Sequence, residues 1–253
     1  MITQQIRFVV LIFFRRCLNN SCYPPATTAA TPSPERRCPF QRNPPESHPD
    51  TLASVAKPLA VKLCLAQVPE ADALLSRDPL ALLIGMVLDQ QIPLEWAFRG
   101  PFELTQRLGT GLDASALASM DPDKLAAVFA ERPSLHRYPS SMAKRVQSLC
   151  EVIVEQFGGK ADAVWRGAKT GKDLLATVRR LPGFGDQKAR IFVALLGKQL
   201  GVRPAGWEEA CAPYGQPGTL RSVADIVSPE TLDEVRTAKK AMKAAAKAAA
   251  AKA

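Results

Sequence analysis

Aromatic residues make up only 6% of the 253 residues, and no apolar run approaches the roughly 20 residues that a membrane-spanning helix requires. No membrane span is therefore expected. The six cysteines (Cys17, Cys22, Cys38, Cys64, Cys150 and Cys211) include no CxxC pair and no clustered quartet, which argues against a zinc knuckle or an iron–sulfur loop. They read as reduced thiols in a cytoplasmic protein. No alternation of apolar and polar residues is long enough to build a sheet, so the expected fold class is all-α. What is present is a globular balance, 47% hydrophobic and 23% charged, in a chain long enough to bury a sizeable core as one large domain or two small ones.

The formal charge of +9 is unevenly placed. Residues 1–57 carry 7 Lys/Arg against 3 Asp/Glu, and residues 236–253 carry 6 against none. The span between them is nearly neutral, but within it residues 132–203 hold 14 basic against 5 acidic residues. The middle of the chain is the basic patch, which points to a polyanionic partner.

Three regions are expected. Residues 1–57 hold eight prolines among Ser, Thr and Ala, a composition that cannot offset the entropy of ordering, and read as a disordered extension. The apolar run between Arg7 and Arg15 imitates a signal-peptide core, but it is short and no convincing small-residue cleavage site follows. Residues 58–235 carry helical periodicity. Asp78-Pro79 reads as an N-cap followed by proline at the first helical position, and further helices are expected over 102–108, 113–117, 122–129, 140–157, 172–180 and 186–200. Residues 236–253 form a Lys/Ala tail that favours helix but has no large apolar stripe, so it is expected not to dock on a core. It reads equally as a phosphate-binding arm or as a solubilising tail.

The most informative stretch is Leu181-Pro182-Gly183-Phe184-Gly185, with a helix expected on either side. Proline ends the first helix, the glycines allow positive φ and close approach, and the second helix opens with bare N–H groups facing an anion. Arg179, Arg180, Lys188 and Arg190 add attraction. The ordinary alternative is a glycine-containing connection between two core helices.

With Ala189, this stretch resembles the hairpin of the helix-hairpin-helix base-excision DNA glycosylases, the endonuclease III-like superfamily. Two upstream segments agree in order. Leu83-Ile-Gly-Met-Val-Leu-Asp-Gln-Gln-Ile92 is similar to the family's early helix ending in a glutamine-bearing turn, and Tyr138-Pro-Ser-Ser-Met-Ala-Lys-Arg-Val146 to its tyrosine followed by a Lys/Ala helix. The resemblance covers about residues 78–202. It implies a two-lobed helical fold that binds double-stranded DNA containing a lesion and turns the damaged nucleotide out of the duplex, because the glycosidic carbon is inaccessible within the stack.

Carried over position by position, the resemblance makes Gly183, Phe184, Gly185, Gln187, Lys188 and Lys144 candidate DNA contacts. Gln90 and Gln91 are candidates to fill the gap left by the extruded base. The main-chain carbonyls of Arg179, Leu181 and Phe184 would hold a monovalent cation, and an iron–sulfur cluster is not expected because Cys211 has no neighbouring cysteines. The family's catalytic aspartate should fall near Ala205, where the sequence has none, which leaves Glu208 or Glu209 to serve after a loop shift. Surface carboxylates opening a helix explain that pair equally well. The lysine of the lyase-type members is replaced by Gln187, with Lys188 one residue later and about 100° around the helix. Lys188 is thus a weak catalytic candidate and a better phosphate contact. His136, Trp96 and Trp165 read as loop or core residues, and Trp207 stays a candidate base contact.

The reading that follows is a monomeric, cytoplasmic, nucleoid-associated DNA repair protein: a monofunctional glycosylase acting on a damaged or mispaired base. Its rival is a non-catalytic helix-hairpin-helix DNA-binding protein, and a third reading is a helical interaction protein without affinity for DNA.

Overall fold

The structure, a computed structural model, describes residues 62–250; the expected disordered extension lies outside these residues. It is all-α. Eleven helices are present among the described residues, with a single isolated bridge between Thr170 and Ala205. No helix there is long and apolar enough to cross a membrane.

The helices begin where local chemistry predicts. The Asp78 carboxylate accepts hydrogen bonds from the Leu80 and Ala81 amides at the start of α2 (Pro79–Leu88), after α1 (Pro69–Arg77). Asp113 and Asp121 cap α4 (Ala114–Ser119) and α5 (Pro122–Ala130) in the same way, and Gly158 in the left-handed conformation ends α6 (Pro139–Phe157). Helix α3 runs from Leu94 to Leu108, earlier than the expected start at 102. Its first half passes through Pro101, whose missing N–H is tolerated because Ala97, Phe98 and Gly100 are buried and fix the helix by packing. Gly85 of α2 lies where a Cβ would stand 2.8 Å from the Phe98 ring, so α2 and α3 approach closely and the turn between them is firmly placed.

Helices α1–α6 pack mainly on one another. The remaining elements, α7 (Ala163–Arg166), α8 (Gly171–Arg179), α9 (Asp186–Gln199), α10 (Trp207–Ala210), a 3-10 turn (Val223–Asp225) and α11 (Pro229–Ala250), form a second group around α9. A continuous apolar core links them. The apolar stripe of α6 is buried from Met142 to Ile153.

Helix α11 crosses the expected boundary at residue 235. It is one uninterrupted helix that starts within the core, where Leu232 and Val235 are buried, and continues through residues 236–250. The buried anchors precede residue 236, and the tail, expected not to dock, has no buried residue among its described side chains. Arg236 forms ion pairs with Glu95 of α3 and with Asp233.

Candidate nucleic-acid interface and catalytic site

The α8–α9 connection is a tight turn. Gly183 takes φ +86°, a conformation that side chains rarely adopt, and a Cβ there would also meet the Arg145 and Val87 side chains at 3.1 and 3.3 Å. Gly185 behaves differently from expectation. Its φ is −73°, open to any residue, and nothing lies within 4 Å of where its Cβ would be. The fold thus requires glycine at 183 only, while at 185 the missing side chain leaves the first amides of α9 open to solvent. Phe184 is only 4% exposed and meets Phe192 edge to face at 5.5 Å. Its ring anchors the hairpin, so only its main chain is available to a ligand.

The charges around this turn are partly committed. Asp186, the first residue of α9, pairs with Arg190 at 2.9 Å and Arg179 at 3.4 Å, and Arg190 also donates to the Ala210 and Ala212 carbonyls. Arg180 and Lys144 are exposed and form no ion pair among the described residues. The Leu181 carbonyl accepts the Phe184 N–H at 3.1 Å, whereas the Arg179 and Phe184 carbonyls accept none of the loop hydrogen bonds. Two of the three main-chain oxygens considered for a monovalent cation are thus without a loop hydrogen bond among the described residues. Among the described residues no three His, Cys, Asp or Glu side chains converge to form a metal site.

The structure brings the three sequence segments together. The Gln90 amide is clamped: its Nε2 donates to the Val87 carbonyl at 2.7 Å, and its Oε1 accepts from Arg145 Nη1 at 2.9 Å. Its main-chain carbonyl faces His136 Nε2 at 2.7 Å. Because His136 Nδ1 accepts the Tyr138 N–H, the ring carries its proton on Nε2 and donates it to Gln90. His136, 2% exposed, braces the turn from below. Gln91 is the free member of the pair: exposed, at φ +55°, with no side-chain hydrogen bond among the described residues. Tertiary contacts thus distinguish two glutamines that look alike in sequence.

Lys188 does not point outward to a phosphate. Its Nζ donates to the carbonyls of Met86 at 2.6 Å, Asp89 at 3.3 Å and Val87 at 3.4 Å, joining the start of α9 to the C-terminal end of α2. Burial, with Arg145 adding repulsion, lowers its pKa from 10.5 to about 8, against the opposing pull of Asp89. Beside it, Asp89 is the carboxylate that the sequence reading passed over. Desolvation raises its pKa above the ordinary value, while Lys188 and Lys239 of α11 pull it back. Its signal in the sequence was its place directly before the two glutamines.

Glu208 and Glu209 lie elsewhere. They are exposed on α10, which packs on α8 and α9, and neither is among the charges felt by Asp89 or Lys188. The neighbouring Trp207 is an anchor. A Cβ on Gly197 would meet its ring at 2.3 Å, and Arg203 lies 5.9 Å from the ring centroid. Trp96 donates to the Ser134 carbonyl at 3.1 Å and Trp165 meets Phe192 edge to face, so neither indole is free. Cys150 and Cys211 are buried, which pushes their thiols up to about 12 and about 11 and leaves them unreactive.

Gln187, exposed on α9, donates to the Tyr214 hydroxyl at 3.0 Å at the rim of a concavity of about 320 Å³. Ile191, Pro213 and Met242 give it apolar walls, and Arg221 and Lys239 give it positive charge. Lys239 connects this hollow with Asp89. The chain matches no protein-family model, no curated protein and no solved structure.

Proposed function

We propose that the protein is a base-excision DNA repair enzyme of the helix-hairpin-helix glycosylase type, a monomer acting at the nucleoid that hydrolyses the N-glycosidic bond of a damaged or mispaired base turned out of the duplex. One observation carries this reading: the α2–α3 turn, the start of α6 and the α8–α9 hairpin, far apart in the chain, converge through Gln90, Arg145, Gly183 and Lys188. The open amides after Gly185 would take a backbone phosphate, with Arg180 and Lys144 attracting the strand. Gln91 would enter the gap left in the stack, and the concavity beside Gln187 and Tyr214 has room for one base.

In this reading Asp89 supplies the carboxylate. As the bond between sugar carbon and base nitrogen lengthens, positive charge grows on the sugar, and a partly desolvated carboxylate stabilises it more strongly than one in water. The carboxylate then accepts a proton from the water that attacks the sugar carbon, and the departing base takes up a proton. Lys188 is a positioning residue, because its ammonium is directed at three carbonyls rather than at a substrate. That supports hydrolysis without lyase chemistry.

The test is a single-turnover assay with excess protein on duplexes each carrying uracil, 8-oxoguanine, an alkylated adenine or a G·T mismatch, with abasic sites scored by alkali. Release of one base, lost in Asp89→Asn and retained in Glu208→Gln and Glu209→Gln, is the expected result. Tight salt-dependent binding without release would instead identify a non-catalytic DNA-binding protein. Absence of binding would remove the DNA reading altogether, and binding unchanged in Gly185→Ala would remove the hairpin from it. The Gly185→Ala substitution is suited to this purpose because the fold has room for the added methyl group.

A further inference from the structure

We infer that α11 is a second, rigidly registered DNA-binding element, whose lysine stripe engages the backbone of the same duplex that the hairpin holds. The inference rests on the DNA-binding reading above, and it concerns geometry that a flexible cationic arm would not have.

At 100° per residue, Arg236, Lys239, Lys240, Lys243 and Lys247 all fall within about 100° of the helix circumference. All five are exposed. The opposite side carries Ala238, Ala241 and Ala245. Leu232 falls at the same angle as the stripe and Val235 about 40° beyond its Lys239 edge, so the charges continue along the docked face past the last buried residue, Val235. The root is held by those two buried side chains and by the Arg236–Glu95 ion pair, and no glycine or proline follows Pro229 to introduce a bend.

The stripe is unfavourable for the protein alone. Arg236 and Lys240, Lys239 and Lys243, and Lys243 and Lys247 are like-charge pairs four residues apart, each destabilising an isolated helix by about 0.2–0.5 kcal/mol. Acidic residues could break this repulsion, as Glu230, Asp233 and Glu234 do in the first half of α11, but none occurs after Glu234. A polyanion with regularly repeated charge relieves the repulsion. Lys239 to Lys247 spans about 12 Å at 1.5 Å per residue, a reach over several phosphates of one strand. A lipid surface is a poor fit, since the only large apolar side chain among residues 236–247 is Met242, and helices that lie in membranes bury a broad apolar face. Lys239 and Met242 also line the concavity beside Gln187, which ties the stripe to the hairpin.

The register can be tested without changing the charge. One alanine inserted after Ala241 rotates Lys243 and Lys247 by about 100° off the stripe, whereas four inserted alanines rotate them by about 400°, close to their original face. The full-length chain and both variants are titrated with a fluorescent duplex over a salt series, with circular dichroism to confirm helix content and Gly185→Ala alongside. The single insertion is expected to lower the slope of log affinity against log salt by about 2, two phosphate contacts at about 0.9 each, and to weaken binding about tenfold at low salt. The four-residue insertion is expected to restore most of both. Equal slopes and affinities for the unmodified chain and both insertions, with Gly185→Ala still weakened, would overturn the registered stripe and leave the hairpin reading intact. No salt-dependent binding by the unmodified chain would overturn both.

Discussion

The turn between α2 and α3 and the short helix α10 each carry acidic residues beside the hairpin, but only the turn withdraws one of them from water. Asp89 follows a helix buried from Leu80 to Leu88 and feels the charges of Lys188 and Lys239. Glu208 and Glu209 project from a four-residue helix whose inward face is occupied by Trp207 against Gly197. Carboxylates near a basic motif are therefore not equivalent. Desolvation and facing charge determine which of them can act on a developing cation, and α10 serves to hold α8 and α9 together.

The largest effect expected from this contrast is on turnover. Asp89→Asn should lower the single-turnover rate by about 10²–10³, or roughly 3–4 kcal/mol of barrier, with little change in duplex affinity. A rate close to that of the unmodified chain would erase the distinction between the two segments. Next comes a pH signature of the turn. The pKa of Lys188 is about 8 when folded against 10.5 when exposed, so between these values the unfolded chain binds a proton that the folded chain does not. The Lys188 contribution to stability should therefore rise by about 2–3 kcal/mol as pH increases from 8 to 10.5, with its burial cost felt in full below pH 8, against an opposing loss from the Cys150 and Cys211 thiols, which burial keeps protonated in the folded chain. Urea unfolding of the unmodified chain and of Lys188→Met at pH 7.5 and 10 checks this: the thiols act alike in both, so the stability difference between the two chains should shift by about 2–3 kcal/mol in favour of the unmodified chain.

Gly197→Ala probes the α10 side, where the added methyl would collide with the Trp207 ring. A loss of about 1–3 kcal/mol in urea unfolding is expected, with unchanged catalysis per folded molecule. Gln91→Gly should move stability and function in opposite directions. It removes the free side chain while relieving a left-handed backbone, so stability should rise by about 1 kcal/mol as base release falls about tenfold. Glu208→Gln should have the smallest effect, within about 0.5 kcal/mol in stability and with no change in rate.

Much of the fold was legible because its signals are local. Asp78, Asp113 and Asp121 announce their helices by capping, Gly158 stops α6, and the Leu181–Gly185 turn appears where its residues place it. The first half of α3 was hidden because Pro101 reads as a boundary, and α7 and α10 because four residues carry no period. The continuity of α11 across residue 235 was missed for another reason. Its lysines obscured that Leu232 and Val235 anchor the same continuous helix.

The candidate site was legible as segments and not as roles. Sequence alone determined the all-α class, the helix ends and a glycine turn with open amides, since caps, periodicity and φ preferences act within a few residues. Tertiary structure decided which of several similar residues is withdrawn from solvent or left free: Asp89 rather than Glu208, Gln91 rather than Gln90, and an inward Lys188 beside outward lysines on α11. Those choices depend on partners far apart in the chain. The Lys188 ammonium meets the Asp89 carbonyl across 99 residues, and Arg145 reaches Gln90 across 55. Burial and facing charge are created only when such segments meet, so no local pattern could have announced them.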